Sequence, residues 1–229
     1  MESKNKFGVI WDQTGVLYKY GRNNVEKTFR RILKKHSIDI AEKMFSEKYR
    51  GTSLVNQIRM WKEDFNIDVP ISPEQFSKEA AKEEYSMIDP SKEYDQHLIK
   101  LLEELKDHQI PMAVVTSSTK ERAENILKIL NLKKYFDFIV SAEDAKNEPS
   151  AEAFSIAVKK LGLSPRDCIV IEDAASGIQA AKKAGCKTMG YSIYSNEQYK
   201  SLKKINPDLL IKDFKELSYD TLRKLVEEK

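Results

Sequence analysis

The sequence predicts an α/β protein: an open, doubly wound parallel sheet interrupted early by an inserted all-helical segment. Three observations carry this. Short apolar runs alternate with amphipathic helical stretches through the second half of the chain, one further apolar run stands alone near the N-terminus, and no strand pattern breaks residues 24–86. Residues 6–11 form the first strand. Val25, Phe29, Ile32 and Leu33 then fall at three- and four-residue spacing, and further helices are expected at 41–49, 54–65 and 73–85, the last opened by a Ser72 cap and Pro73 in its first turn. The alternation resumes with a helix at 97–108, a strand at 111–115, a helix at 120–130 and a strand at 138–141. A helix at 150–161, a strand at 168–171, a helix at 177–184 and strands at 187–191 and 209–211 follow, closed by a helix at 219–228. Strands separated by helices of this length need right-handed crossovers, and hence a parallel sheet. Residues 1–17 and 92–229 are expected to form the α/β core, and 18–91 a helical domain able to cover its crevice.

With 229 residues, 41% apolar and 33% charged, the chain can bury a sizeable core and has a globular rather than a disordered balance. Lys and Arg number 39 against 36 Asp and Glu, and no basic block with interleaved aromatics occurs, which argues against a nucleic-acid partner. No apolar run is long enough to cross a membrane, and the polar stretch Met1 to Lys6 leads straight into a strand, so a cytoplasmic protein without a membrane partner is expected. Cys168 and Cys186 sit in apolar contexts and read as buried thiols. His36, His97 and His108 show no ligand spacing.

Chemistry is expected where strands end. Val9-Ile10-Trp11-Asp12 is an apolar run closed by a carboxylate, and Gly15 follows shortly after. In open α/β sheets ligands bind outside the carboxyl ends of the strands, so Asp12 is a candidate nucleophile or metal ligand as well as an ordinary turn residue. Ala113-Val114-Val115 runs into Thr116-Ser117-Ser118, whose hydroxyls and N–H groups suit a phosphate-like anion, although Ser118 or its neighbour could equally cap the next helix. Ile169-Val170-Ile171 ends in Glu172-Asp173. Two acids close to Asp12 repel one another unless a cation sits among them, and oxygen-only ligation suits Mg²⁺.

Asp12 in its apolar strand, Thr116 after Val114-Val115, and the run from Cys168 through Glu172, Asp173, Ser176 and Gly177 to Cys186 together resemble the haloacid dehalogenase superfamily. Within it the chain is most similar to the β-phosphoglucomutase and phosphoglycolate phosphatase branch, with a Rossmann-like core and a helical cap after the first strand. Asp208 to Leu217 resembles the closing strand and turn of that branch, and Arg50-Gly51-Thr52-Ser53 its cap loop facing the active site. The resemblance implies a Mg²⁺-dependent phosphohydrolase acting on a small phosphorylated metabolite as a monomer. It implies that Asp12 attacks phosphorus. It further implies that Asp12, the Thr14 main-chain carbonyl and Asp173 hold Mg²⁺, with Glu172 nearby or acting through water. Thr116 and the Ser117 N–H would bind the phosphoryl oxygens, and Arg50 could meet a substrate anion or face solvent.

The chain departs from that pattern at three places, the third and smallest being Lys19-Tyr20 where relatives commonly have Asp-Ser. Thr14 stands where relatives carry a second Asp that protonates the leaving group and activates water. A Thr hydroxyl does not ionise usefully near neutral pH, so a factor of about 10² to 10⁴ in acid–base catalysis is at stake. Glu148 precedes Pro149 where relatives read Lys-Pro. A Glu148 carboxylate near 5 Å from a phosphate oxygen would cost on the order of 3 kcal/mol at an effective dielectric of about 20. Lys146 could reach in on its long stem while Glu148 turns outward at a helix start. Lys19, near the start of the cap, reads as a solvated hinge residue or a cation brought towards the site, and Trp11 as core packing. The leading expectation is a phosphatase with atypical turnover. A catalytically weakened protein that binds a phosphorylated ligand or a partner is the alternative; a mutase is disfavoured by Thr14, and a dehalogenase would leave the acidic pair unexplained.

Overall fold

The computed structural model describes residues 7–19, 22–38, 54–90, 95–145, 150–193 and 195–227. It falls into two compact units, Met1–Lys19 with Pro90–Lys229 and Tyr20–Asp89. The expected helix at 41–49 lies outside the described residues.

The Tyr20–Asp89 unit is helical, with α1 Arg22–Lys35, α2 Leu54–Phe65 and α3 Pro73–Met87. Ser72 caps α3 by accepting the Gln75 N–H, and Pro73 opens the first turn, where a missing N–H costs nothing. Ile32, Leu33, Trp61 and Phe76 form the centre of its core. Phe29 meets Phe76 edge-on at 5.2 Å and Trp61 at 6.3 Å, the arrangement aromatic quadrupoles favour. Lys35 and His36 both reach Glu79, at 2.9 and 3.2 Å, and Arg59 is exposed beside Glu63. Such surface pairs contribute little beside the aromatic core.

The other unit holds six strands, β1 Gly8–Asp12, β2 Met112–Val115, β3 Phe138–Val140, β4 Cys168–Glu172, β5 Lys187–Tyr191 and β6 Leu209–Ile211. They lie in the order β3-β2-β1-β4-β5-β6, and every neighbouring pair is parallel. Around them are α4 Gln96–Asp107, α5 Lys120–Ile129, α6 Ala151–Leu161, α7 Ala175–Lys183, α8 Asn196–Ile205 and α9 Tyr219–Glu227. A parallel sheet covered on both faces needs strands apolar on both sides, and β1 and β4 meet that need: Val9, Ile10, Trp11, Ile169, Val170 and Ile171 are fully buried. Ile10 packs with Phe154, Ala157 and Val158 of α6 and Ala180 and Ala181 of α7. Its neighbour Trp11 necessarily points to the opposite face, where it meets Phe214 at 6.1 Å, and Phe214 in turn meets Tyr191 at 4.4 Å. Burial of each such side chain is worth roughly 1.5–3 kcal/mol.

From β1 the chain moves outward to β2 and β3, then returns to β4 on the other side of β1 and continues to β5 and β6. The order therefore reverses between β1 and β4, where an open sheet leaves a crevice outside the carboxyl ends of its strands. Among the described residues, no helix is long and apolar enough to cross a membrane. Cys168 and Cys186 are buried free thiols, which burial pushes up to about 12. His108 stacks on Tyr219 at 3.8 Å, a packing role. The sequence pattern did not indicate α8, and it placed the start of α7 at Gly177 rather than Ala175.

Candidate active site

The register brings the singled-out strand ends together. Asp12 closes β1 opposite Val115 of β2, and Trp11 pairs with Ile171 of β4, so Asp12, Thr116 and Glu172 stand at the ends of three adjacent strands. Beyond Asp12 the chain makes a tight loop. The Gln13 carbonyl accepts the Leu17 and Tyr18 N–H groups at 3.1 and 3.0 Å, and the Gly15 N–H donates to the Tyr18 carbonyl at 2.8 Å. This bridge between Thr14 and Tyr18 uses the groups flanking Thr14, and does not consume the Thr14 carbonyl. The buried Gln13 side chain donates to the Ala123 carbonyl at 2.9 Å, pinning the loop to α5.

Gly15 has φ +106°, outside the range L side chains adopt readily. A Cβ built there would lie less than 3.0 Å from all three carboxylate atoms of Asp173. The Asp173 carboxylate thus rests directly on the main chain of the loop that leaves Asp12. Two separate strand ends converge because this residue has no side chain.

Asp173 is held from a second direction by a residue that the sequence reading passed over. Gln198 of α8, itself buried, donates its amide to the Asp173 carbonyl at 2.9 Å and to Asp173 Oδ2 at 3.2 Å. Glu172 points elsewhere: its carboxylate accepts the Ala174 N–H at 2.5 Å and lies against Gly177, where a Cβ would overlap it. Burial, and then the adjacent Asp173 carboxylate, push the Glu172 carboxyl above the ordinary carboxylate range.

After β2, the Thr116 N–H stays in sheet pairing with the Val140 carbonyl at 3.0 Å, and its buried hydroxyl accepts the Ser118 N–H at 3.2 Å. Ser117 lies exposed at the tip of this turn. The cap of α5 is Thr119, which accepts the Arg122 N–H at 3.3 Å, while the Arg122 guanidinium donates to the Ser118 hydroxyl. The capping alternative therefore falls to Thr119, and Thr116 and Ser117 lie upstream of it. The loop after β3 joins this turn through the Ala142 N–H and the Ser118 carbonyl at 3.1 Å. In that loop Asp144 accepts from both the N–H and the hydroxyl of Ser141 at 2.8 Å, which holds its carboxyl below the ordinary range. Lys146 and Glu148, the next residues of interest, lie outside the described residues, as does Arg50. Lys19 pairs with Asp95 at 3.2 Å.

These residues fit a hard divalent cation. The donors it would find are oxygens only, from Asp12, Asp173 and the Thr14 carbonyl, and the glycine cradle at Gly15 lets the Asp173 carboxylate approach the loop of Asp12. Among the described residues, the three side chains whose ligand atoms lie within 4.8 Å of one another are a different set, Asp95, His97 and Asp213. There, however, Asp95 caps α4 and Asp213 caps the 3-10 turn Phe214–Glu216, so their carboxylates already serve main-chain N–H groups.

The structure is thus a parallel α/β sheet with the acidic residues Asp12, Glu172 and Asp173 at or just beyond the strand ends at its topological switch point, beside a hydroxyl-bearing turn. Comparison with known proteins narrows this. Residues 9–191 match the model of the haloacid dehalogenase-like hydrolases, and the chain belongs to that family. Validoxylamine A 7'-phosphate phosphatase of Streptomyces hygroscopicus subsp. limoneus is 32% identical over 122 residues, 53% of this chain and 55% of that relative. The phosphorylated carbohydrates phosphatase of Thermotoga maritima is 29% identical over 147 residues, 64% of this chain and 68% of the relative. The chain thus spans about half of the first relative's length and about two thirds of the second's. Among solved structures, β-phosphoglucomutase from Clostridium difficile superposes with a TM-score of 0.75 at 25% identity, covering 96% of this chain and 97% of that one.

Proposed function

We propose that the protein is a Mg²⁺-dependent phosphatase of a small phosphorylated metabolite, with a phosphorylated sugar or related polyol as the first class to test. The observation that carries this reading is the Asp173 carboxylate lodged against Gly15 in the loop leaving Asp12. The phosphatase relatives support the substrate class. Asp12, Asp173 and the Thr14 carbonyl hold the cation, with Glu172 behind them. When bound, Mg²⁺ offsets the negative charge of nucleophile and phosphate as they meet.

The chain's own residues do the rest. An Asp12 carboxylate oxygen forms a bond to phosphorus, the ester P–O bond breaks, and the departing alkoxide takes a proton from solvent water. Thr116 and the Ser117 N–H hold the phosphoryl oxygens, and positioning of this kind is most of what phosphoryl transfer requires. Water then attacks phosphorus, releasing phosphate and restoring the Asp12 carboxylate. Thr14 can orient a water or an alkoxide by hydrogen bonding but cannot shuttle its proton, so turnover runs below that of relatives with Asp at this place. Lys146 takes the place, in this reading, of the cation that relatives carry at the residue before Pro149.

A panel of phosphorylated sugars and small phosphate esters, assayed with and without Mg²⁺, tests this against an Asp12→Asn control. Turnover that needs Mg²⁺ and disappears in the control is expected. Turnover that survives Asp12→Asn would overturn the mechanism. The presence of Thr14 favours one second reading, a weakened enzyme that binds a phosphorylated ligand or partner. Under that reading the wild type is silent and the double change Thr14→Asp with Glu148→Lys restores activity.

A further inference from the structure

Gln198 is the third residue of α8, capped at that position by Ser195, which accepts the Gln198 N–H at 3.1 Å. Its side chain does not follow the usual first-turn habit of reaching back to its own cap. Instead it turns inward, 8% exposed, and bonds to two loops at both ends of its amide. The amide nitrogen donates to the Asp173 carbonyl at 2.9 Å and to Asp173 Oδ2 at 3.2 Å. The amide oxygen accepts the Ile193 N–H at 3.1 Å and the Ser192 hydroxyl at 3.3 Å.

A main-chain carbonyl only accepts and a main-chain N–H only donates, so these partners fix which end of the amide is which. Glutamate here would set an acceptor against the Asp173 carbonyl and carboxylate. Methionine would fill the space and leave those groups without the amide. The amide is the side chain whose donor end meets Asp173 and whose acceptor end meets the segment after β5.

Resting on the reading of Asp173 as a metal ligand, we infer that Gln198 is a positioning residue for the cation site: it fixes the Asp173 carboxylate against Gly15 and so sets the affinity for Mg²⁺. A carboxylate already held in its binding rotamer loses less freedom when the ion arrives. Partners behind a metal ligand typically account for about 10- to 100-fold in metal affinity. The bond to the Asp173 carbonyl holds its main chain, and the bond to Oδ2 orients its side chain.

The test is Mg²⁺ titration by calorimetry on substrate-free wild type and Gln198→Met, with thermal unfolding in the presence and absence of Mg²⁺. The expected result is Mg²⁺ binding about 10- to 100-fold weaker in the variant, a smaller Mg²⁺-induced rise in Tm, and turnover that recovers as Mg²⁺ is raised. A variant with a lower Tm but unaltered Mg²⁺ affinity would be merely destabilised, and the inference would be overturned. Should Gln198→Met not fold, Gln198→Asn keeps an amide one methylene too short for the same reach. It is expected to give a weaker shift in the same direction, and wild-type affinity in it overturns the inference. Wild-type protein that turns over substrate without binding Mg²⁺ would sink the metal assignment and this inference with it. Normal Mg²⁺ binding in wild type and variant alike would sink only the role of Gln198.

Discussion

Two carboxylate clusters stand beyond the carboxyl ends of strands in one parallel sheet, and they are wired in opposite senses. After β6, Asp213 accepts the Lys215 N–H at 2.8 Å, has the Lys215 ammonium at 3.6 Å and meets His97 at 3.2 Å. The same histidine lies 3.5 Å from Asp95, which also pairs with Lys19. The Lys215 main-chain N–H first, and then the nearby Lys215 and His97 side chains, hold the Asp213 carboxyl below the usual range. After β4, Glu172 is buried beside Asp173 and its carboxyl is raised, while Asp173 is set against a glycine and a glutamine amide. The first cluster contains its own countercharges and serves to cap helices. The second sets two acids next to each other at a switch point with no basic side chain among the partners described for them. Acidic residues at a sheet edge therefore indicate a site only when their surroundings raise the cost of their charge.

The largest effect should come from filling the glycine cradle. Gly15→Ala must leave φ +106° or strain there, and its methyl would collide with the Asp173 carboxylate. Backbone strain of about 1–3 kcal/mol and loss of Mg²⁺-dependent turnover to background are expected together, read by urea unfolding and by the phosphatase assay. Full activity in this variant would break the contrast between the clusters.

Gly177→Ala comes next. Helix propensity alone would favour alanine by up to about 1 kcal/mol. Its methyl would overlap the Glu172 carboxylate, which is buried and has little room to retreat, so net destabilisation is expected despite the propensity gain. A rise in Tm would mean that Glu172 is free to move and that its confinement is unimportant.

Asp213→Ala should cost about 1 kcal/mol, the usual worth of a cap, and leave phosphatase kinetics unchanged. A fall in kcat would bring this cluster into the site and erase the distinction drawn here. The smallest effect concerns pH. The folded-state carboxyl of Asp213 is lowered, so its contribution is present above the unfolded carboxylate range and is lost as pH falls through the depressed value. The gap in urea midpoint between wild type and Asp213→Asn should accordingly narrow as pH falls below about 4.

Much of this was legible in the sequence. Apolar runs such as Val9 to Trp11 and Ile169 to Ile171 are buried on both faces, so their composition alone announces a parallel sheet, and each ends where its acids begin. What escaped was α8. Its stretch from Asn196 to Ile205 is mostly polar, with apolar residues only at Tyr199, Leu202 and Ile205. The signal available was Ser195 followed three residues later by Gln198, the spacing of a capping box. Even that would have misassigned Gln198, whose side chain serves Asp173 and Ile193 and not its own helix. Pairing between distant loops leaves no periodic trace in a sequence, and this is why Asp173 could be found at a strand end while the residue that holds it could not.

The two buried thiols give the sheet a clock. Cys168 begins β4 and Cys186 directly precedes β5, and with both pushed up to about 12 neither offers thiolate to a labelling reagent while the strands stay closed. Alkylation therefore counts openings of the strand pair next to β1. Its rate, followed with and without Mg²⁺, reports whether adding the ion changes how often the sheet opens.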